Sequence, residues 1–560
     1  MKRAARLLCL ILSVGVLWNG LAHPPLSRAD DGTEEVALAA RVEAILGRMS
    51  REEIVGQLFM VSVPGTTLAP DVATFLHTLT PGAIVMFSAN GRSPELVTNV
   101  INAWQSVALK SGGRVPYLIA SDHEGGAVMR LREGFTALPY GAALGAMPPE
   151  MAAVVGGMAA AELRAVGVTL NLAPVADVRA AAERPYFVEP RTFGYEPERV
   201  GGAVAGYVRG LQTGGVIGTL KHFPGHGAAG DSHSFLPVLN HSRSDLETID
   251  LVPFKAGIAA GAEVIMVGHL SVPSLDPTPG LPATLSKPIT TDLLRGELGF
   301  QGVILTDAMD MGAVVDNFTA TRAGVLALQA GATMLAIGPK LDMSAQLAMK
   351  QAILDAIARG ALSDAQVTDS ARRILLLKGR YGLLDWTPLD PETASVRVNS
   401  ADHSARLEAL YEQTVAFAYD DFGVLPLTPE KRVAWLYPVP YGDVRTACLA
   451  YGSPVANVAY ALDPSEGQIS AAAQIAAQAD LTIVFTADME RHPRQADLVN
   501  ALPPEKTIVI ALANPYDFER GIAPGAYGAV FNPTPPAYRA ICGALYGRWK
   551  AGGTFEVVPG

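Results

Sequence analysis

A short stretch near the middle of the sequence concentrates side chains that can bind and transfer protons. The stretch from Lys221 to His233 contains three histidines, a lysine and an aspartate, together with three glycines and a proline. The apolar run 216–220 before them is typical of a buried strand, and the Gly/Pro content after it disfavours a helix. The cluster is therefore predicted to lie in a loop at a strand end, where catalytic residues often lie.

Asp307, Asp231 and His233 could together support a two-step displacement. Asp307 follows another apolar run, and a carboxylate at a strand end can act as a nucleophile if a second group protonates the leaving atom. Asp231 lies two residues before His233, so its carboxylate could orient the imidazole and stabilise its cation. With neighbouring cations to hold hydroxyl groups, this chemistry is that of a retaining glycosidase.

Eight apolar runs alternate with amphipathic stretches and predict the scaffold for these residues. The strands are predicted at 57–63, 83–87, 117–120, 169–173, 217–220, 263–267, 302–305 and 333–337, with helices between them that include 94–109, 151–166, 199–212 and 246–260. Eight α/β repeats predict a (β/α)₈ TIM-like barrel. Nearly all the polar candidates follow strands, so they should converge at the barrel's carboxyl-terminal face.

Four motifs resemble the signature motifs of glycoside hydrolase family 3, in its β-N-acetylhexosaminidase branch. They are Ser-Asp-His-Glu-Gly-Gly from Ser121, Lys-His-Phe-Pro-Gly-His-Gly from Lys221, Asp-Ser-His from Asp231, and Thr-Asp-Ala-Met-Asp-Met from Thr306. The resemblance covers most of residues 40–384. One departure is that only Ala228, Ala229 and Gly230 separate the second motif from the third, one residue fewer than is usual in the family.

The resemblance implies a role for each matching residue. Asp307 would be the nucleophile, and His233 with Asp231 the acid/base dyad. Positions that match the family's binding of the non-reducing sugar are Asp122, Arg130, Arg191, Lys221 and His222, and His269 would have a supporting role. The dyad is typical of the hexosaminidase branch, so the implied substrate sugar is GlcNAc rather than glucose.

Each candidate also has an ordinary interpretation. His222, His226, Asp231 and His233 could bind a metal, although the Pro-Gly pair after Phe223 makes helical HxxxH geometry improbable, and we expect neither metal nor cofactor. Asp307 could cap a helix, Lys221 could be a surface lysine, and Arg130 or Arg191 could belong to ordinary ion pairs. The coincidence of Asp307 with the dyad favours catalysis.

A composition change after Gly379 predicts a second domain. We expect the barrel over 38–384, a linker over 385–404, and a smaller C-terminal α/β domain over 405–560. Its strands are predicted at 432–437, 481–486, 507–513 and 528–531, with helices at 405–414 and 469–478. The motif Leu-Ala-Asn-Pro-Tyr-Asp from Leu512 also resembles the family's C-terminal domain.

The first 29 residues are predicted to be a secretory signal peptide cleaved near Ala29. They combine three early basic residues with an apolar segment that is shorter than the ~20 residues of a membrane span, which disfavours an uncleaved anchor. Cleavage would change the net charge from −11 to −15, and an acidic protein is a poor partner for nucleic acid. Only Cys448 and Cys542 would remain, so one disulfide is possible.

These observations predict a secreted or periplasmic exo-β-N-acetylglucosaminidase that acts on cell-wall or chitin-type oligosaccharides, with no stable membrane insertion. Three alternatives stay open: a β-glucosidase of the same family, a glycoside phosphorylase, and a secreted carbohydrate-binding protein without turnover. A histidine acid/base keeps the phosphorylase in consideration, because it does not repel phosphate as a carboxylate would. The sequence does not indicate the natural leaving group or the oligomeric state.

Overall fold

The structure is a computed structural model that describes residues 32–111, 113–180 and 189–553. The predicted signal peptide lies outside these residues. Within them, no helix combines the length and the apolar character needed to cross a bilayer.

Eight parallel strands form the predicted barrel, and their residues are buried whether they point into the barrel or towards the helices. They are β1 (Phe59–Ser62), β2 (Ala83–Met86), β3 (Leu118–Ser121), β4 (Leu170–Asn171), β5 (Ile217–Phe223), β6 (Val264–Val267), β7 (Val303–Thr306) and β8 (Leu335–Ala336). Neighbours in the sheet follow chain order, and β8 pairs with β1 through Phe59 and Leu335. A bridge between Leu305 and Met334 joins β7 to the start of β8, so the sheet is nearly closed. The predicted barrel is confirmed.

Side chains alternate between two apolar layers, as the two-residue period of a strand requires. On β1, Met60 points into the barrel with Val85 and Leu118, whereas Phe59 and Val61 pack in the cluster under the helices. Parallel strands covered in this way are apolar on both faces, which is why the sequence shows them as continuous apolar runs.

Helices cover the outside of the barrel. They are Pro70–Leu79, Pro94–Ala108, Pro149–Val166, Pro197–Thr213, Leu251–Ala259, Ala320–Ala330, Met343–Ala358 and Asp364–Arg380, with Gly32–Leu46 and Arg51–Gly56 before β1. The segments Leu246–Asp250 and Pro288–Glu297 are π-helical. A Cβ on Gly210 would lie 2.1 Å from the Ala153 carbonyl oxygen, so glycine is needed where the helices Pro149–Val166 and Pro197–Thr213 cross.

The stretch predicted as a linker packs on the barrel and contains the helix Pro391–Arg397. Asn102 donates to the Leu389 carbonyl at 2.7 Å and accepts from the Leu389 amide at 3.1 Å. The helix Ala401–Thr414 follows, four residues earlier than predicted. The exact domain boundaries stay predictions.

A separate six-stranded sheet forms the C-terminal domain. Its strands are β9 (Ala416–Asp420), β10 (Val433–Pro438), β11 (Ala456–Tyr460), β12 (Leu481–Thr486), β13 (Thr507–Ala511) and β14 (Ala526–Ala529), in the order β9-β14-β13-β12-β10-β11. Only the β9–β14 pairing is antiparallel. The helices are Asp443–Cys448, Glu466–Gln478, Arg494–Asn500 and Pro535–Leu545, and a disulfide between Cys448 and Cys542 joins the first to the last. The second domain is confirmed, although β9 and β11 were not predicted.

Candidate active site

Lys221 and His222 lie inside β5, not in the loop after it as predicted. The strand continues to Phe223, and both side chains are buried. The prediction ended the strand too early because lysine and histidine interrupt the apolar run. These polar side chains are tolerated in the interior because each one meets a carboxylate, which offsets the loss of hydration.

A compact network of charges forms around Lys221. Its ammonium lies 3.0 Å from Asp122 Oδ1 and 2.7 Å from Glu124 Oε1. Arg191 holds the same Glu124 carboxylate with both Nε and Nη2, at 2.9 and 2.8 Å, and Arg130 Nε lies 3.3 Å from Asp122 Oδ2. Burial by itself would lower the pKa of Lys221, but Glu124 and Asp122 raise it above the usual value. The structure thus brings these four predicted residues into one network with Glu124.

Asp177 organises the histidines next to this network. Its Oδ1 accepts the backbone amides of His222 and His226 at 3.0 and 2.8 Å, and its Oδ2 accepts from His222 Nδ1 at 2.8 Å. That bond places the proton on Nδ1 and fixes the ring orientation. Burial would raise the pKa of Asp177, but the two histidines lower it, so the carboxylate is ionised at neutral pH.

The predicted dyad is present and reaches solvent. Asp231 Oδ1 accepts from His233 Nδ1 at 2.7 Å and from its backbone amide at 3.0 Å. The His233 side chain is 63% exposed, so Nε2 is free to exchange protons with a substrate or with water. Burial would raise the pKa of Asp231, but its hydrogen bonds with His233 lower it. The shortened loop before the dyad is packed inward, with Ala228 and Ala229 buried.

Asp307 lies one residue beyond the end of β7 and is half-buried. The backbone amide of the next residue, Ala308, donates to its Oδ1 at 2.7 Å. Burial by itself would raise the pKa of Asp307, but the imidazoles of His269 and His222 outweigh it and lower the pKa. A carboxylate that stays ionised while partly desolvated is suited to nucleophilic attack.

The loop that carries the dyad is attached to the segment that follows Asp307. The Gly312 amide donates to the His233 carbonyl at 3.3 Å, and the Ala313 amide donates to the Ser232 carbonyl at 3.3 Å. A Cβ on Gly312 would lie 3.0 Å from that carbonyl oxygen of His233, so glycine permits the close approach. The contact holds the candidate acid/base next to the β7 loop.

His269 lies behind Asp307 in a fully buried position. Its Nε2 donates to the Ala308 carbonyl at 3.0 Å, and its Nδ1 lies 2.5 Å from Thr284 Oγ1. Burial lowers its pKa, which favours the neutral ring. His269 therefore holds the backbone next to the Asp307 side chain, and its supporting role stays a prediction.

Glu124 and Asp177 were not among the predicted site residues, although Glu124 joins Lys221 to Arg191 and Asp177 holds His222. Both follow strands β3 and β4 at the carboxyl-terminal face, and that position was a usable signal. What the sequence did not show is which cations they meet. As for metals, no set of three or more His, Cys, Asp or Glu side chains within the described ranges is arranged as an ion site.

The carboxyl-terminal face of the barrel thus carries a charged network around Lys221, the Asp307 carboxylate after β7 and the exposed His233 on a loop attached to the segment after Asp307. In comparison with known proteins, residues 50–377, more than half of the chain, match the model for the glycosyl hydrolase family 3 N-terminal domain. The chain belongs to glycosyl hydrolase family 3. Within that family its relatives place it in the β-hexosaminidase branch.

Two relatives and one solved structure show the extent of the similarity. The chain is 32% identical over 395 residues to β-hexosaminidase A of Pseudoalteromonas piscicida, covering 66% of this chain and 64% of that protein. It is 34% identical over 349 residues to a β-hexosaminidase of Stenotrophomonas maltophilia, covering 58% of this chain and 99% of the relative. A family 3 β-N-acetylglucosaminidase from Paenibacillus sp. FPU-7 superposes with a TM-score of 0.83 at 30% identity, covering 90% of this chain and 98% of that one.

Proposed function

We propose that the protein is a retaining exo-β-N-acetylglucosaminidase that removes terminal GlcNAc from cell-wall or chitin-type oligosaccharides. The observation that carries the proposal is the 2.7 Å bond between Asp231 and His233 on a loop attached to the segment after Asp307. It supplies a proton donor and a nucleophile on neighbouring loops. The relatives described as β-hexosaminidases support GlcNAc as the sugar.

In the first step the Asp307 carboxylate attacks the anomeric carbon as the glycosidic bond breaks. His233 gives its Nε2 proton to the departing oxygen, so the leaving group departs as a neutral alcohol and a glycosyl ester forms on Asp307. The ionised Asp231 stabilises the imidazolium before that transfer and holds its Nδ1–H. The surroundings of Asp307 lower its pKa, so the carboxylate is deprotonated and therefore nucleophilic.

In the second step the same imidazole works in the opposite direction. His233, now neutral, takes a proton from a water molecule, whose oxygen attacks the anomeric carbon and releases Asp307. Two inversions give overall retention of configuration. The high exposure of His233 allows both the leaving group and the water to reach Nε2.

The network around Lys221 would bind the hydroxyl groups of the terminal sugar. Charge-assisted hydrogen bonds from Lys221 and Arg130, with Asp122 as an acceptor, suit a neutral polyhydroxylated ligand. His222, fixed by Asp177, adds a directed ring nitrogen. Because each of these charged groups has a partner of opposite sign, the network would bind a neutral sugar without an unpaired buried charge.

Hydrolysis of aryl glycosides tests the proposal. Release of the aryl group from a β-N-acetylglucosaminide and from the matching β-glucoside would be measured for the mature protein, Asp307→Ala and His233→Ala. We expect turnover of the first substrate, reduced by at least about a thousandfold in Asp307→Ala because that variant lacks the nucleophile. Preference for the glucoside would contradict the sugar assignment, a rate that requires phosphate would favour a phosphorylase, and binding without turnover would favour a carbohydrate-binding protein.

Export is a separate part of the proposal and rests on the sequence of residues 1–29. It predicts an enzyme found outside the cytoplasm, with Asp30 near its amino terminus. Amino-terminal sequencing of protein purified from an envelope or culture fraction tests it, and an intact Met1 would contradict it.

A further inference from the structure

The C-terminal domain reaches the active-site side of the barrel through a buried ion pair. Arg179, in the loop after β4, places Nη2 2.7 Å from Glu519 Oε2 and Nη1 3.4 Å from Glu519 Oε1. The same guanidinium lies 3.7 Å from the centre of the Tyr516 ring. The Arg179 side chain has no exposed surface and that of Glu519 is 8% exposed. We call Arg179, Tyr516 and Glu519 the domain clamp.

On the barrel side, the clamp is two residues from Asp177. The Arg179 amide donates to the Gly194 carbonyl at 2.9 Å, and the Ala180 amide donates to the Gly227 carbonyl at 3.2 Å. Residues 175–180 therefore run between the histidine loop and the segment that follows Arg191. A displacement of Arg179 would be transmitted to Asp177, which fixes the amides of residues 222 and 226 and the ring of His222.

In the C-terminal domain, the loop that carries Tyr516 and Glu519 is held by hydrogen bonds. Asp517 accepts the Thr486 hydroxyl at 2.8 Å and the Met489 amide at 3.0 Å. The Tyr516 amide donates to Asn514 Oδ1 at 3.1 Å, and the Tyr527 hydroxyl donates to the Pro515 carbonyl at 3.0 Å. This is the Asn-Pro-Tyr-Asp segment singled out in the sequence. Its side chains support the loop that presents the Tyr516 ring and the Glu519 carboxylate.

We propose that Tyr516 and Glu519 are positioning residues for the active site, which act through Arg179 on Asp177 and so fix the sugar-binding His222. The C-terminal domain then supports the active site through Arg179. The catalytic part of this inference rests on the proposed function.

The chemistry of the clamp requires these residue types. A guanidinium can bind a carboxylate with two nitrogens while its flat face stacks on an aromatic ring, which a lysine ammonium cannot reproduce. If Glu519 loses its charge, the buried guanidinium of Arg179 is left with a weaker hydrogen-bond acceptor at that position, and residues 175–180 are expected to shift. A displacement of about 1 Å at a group that orients substrate is enough to slow catalysis by about a hundredfold.

Steady-state kinetics of clamp variants test the inference. Glu519→Gln keeps the shape of the side chain, and Arg179→Lys keeps the charge. Tyr516→Leu keeps an apolar contact with Arg179 and serves as the third variant if one of the other two does not fold. We expect kcat/KM for the aryl β-N-acetylglucosaminide to fall between about tenfold and a hundredfold in each. A matched control is Asp480→Asn, which removes the surface partner of Arg432 in the same domain and should stay within twofold of wild type.

Two further measurements separate positioning from general destabilisation. The double variant Glu519→Gln/Arg179→Lys should lose no more activity than the worse single variant, because both changes break one contact. Hydrogen exchange of peptides covering 220–228 should be faster in Glu519→Gln than in Asp480→Asn, since Asp177 holds two amides there.

The outcomes distinguish this inference from the proposed function. A wild-type protein without GlcNAc release overturns the proposed function, and hydrogen exchange then still tests the clamp. Clamp variants within twofold of an active wild type overturn the inference. Losses that multiply in the double variant, or exchange at 220–228 that does not change, overturn it as well.

Discussion

Replacing Glu124 by glutamine is expected to destabilise the barrel strongly. Glu124 is the shared anion of Lys221 and Arg191, at 2.7 and 2.8 Å, and the three side chains are 6%, 3% and 14% exposed. Breaking a buried pair by neutralising one partner costs about 3–5 kcal/mol. Asp122 remains 3.0 Å from Lys221, so the lower end, about 3 kcal/mol, is expected for the free energy of unfolding.

Chemical denaturation at pH 7 measures this difference, with Glu247→Gln as the control. Glu247 is a surface carboxylate that pairs with Arg243 and Lys255 and is 41% exposed, so its neutralisation should cost no more than about 1 kcal/mol. A loss below about 1 kcal/mol for Glu124→Gln would refute the view that this carboxylate stabilises the pocket.

The pH dependence of the same difference has a definite sign. Burial would raise the pKa of Glu124, but Arg191 and Lys221 outweigh it and hold the pKa far below its usual value. The carboxylate therefore stabilises the native state above the unfolded pKa of about 4.3, and this contribution is lost as the pH falls towards the folded pKa. The gap between wild type and Glu124→Gln should be constant from pH 7 to about 5 and narrow below about 4. A gap that widens on acidification would contradict the reasoning.

Three further changes have expected outcomes. Asp231→Asn should lower kcat/KM about tenfold on a substrate with a poor leaving group, because an amide stabilises the His233 cation less than a carboxylate does. The loss is limited because the pair is exposed and water shares in that stabilisation. Equal rates for the variant and wild type would contradict this. Burial raises the pKa of Asp517 to about 7, so ionisation destabilises the C-terminal domain as the pH rises from about 4 to 7, and Asp517→Asn should remove that slope from its unfolding curve; a slope that persists would exclude Asp517 as its source. Replacing Cys448 by serine opens the bond to Cys542, which closes a separation of 94 residues, and should cost about 2–5 kcal/mol in unfolding experiments without reductant; the difference should disappear when wild type is reduced.

The barrel was predictable because its strands are covered on both faces. An apolar run such as residues 83–86 has one interpretation when amphipathic helices flank it, and the order of eight such runs limits the topology. The edge of the second sheet was harder. Residues of β11 are mostly half-buried, so Ala456–Tyr460 shows no continuous apolar run. β9 pairs antiparallel only with β14, and its four residues after Ala416 are half-buried.

The types of the site residues were predictable, but their partners were not. The Asp231 and His233 pair is two residues apart, so local geometry alone allows the bond that the structure contains. Glu124 and Arg191 are 67 residues apart, and the pairing of β3 with β4 brings the segments that carry them together, so that their side chains meet at 2.8 Å. Charge balance offered a partial signal, since a buried Lys221 requires a carboxylate, but several acidic residues follow the strands and could have supplied it.

Trapping the glycosyl ester tests the central claim most directly. A 5-fluoro β-N-acetylglucosaminide with an activated leaving group should form an ester that hydrolyses slowly, because fluorine destabilises the oxocarbenium-like transition state. Mass spectrometry of the proteolysed protein should then locate one added sugar on Asp307, and NMR of an ordinary turnover should detect the β-anomer first. A label on another residue, or an α-anomer as the first product, would contradict the assignment of Asp307 as the nucleophile of a retaining enzyme.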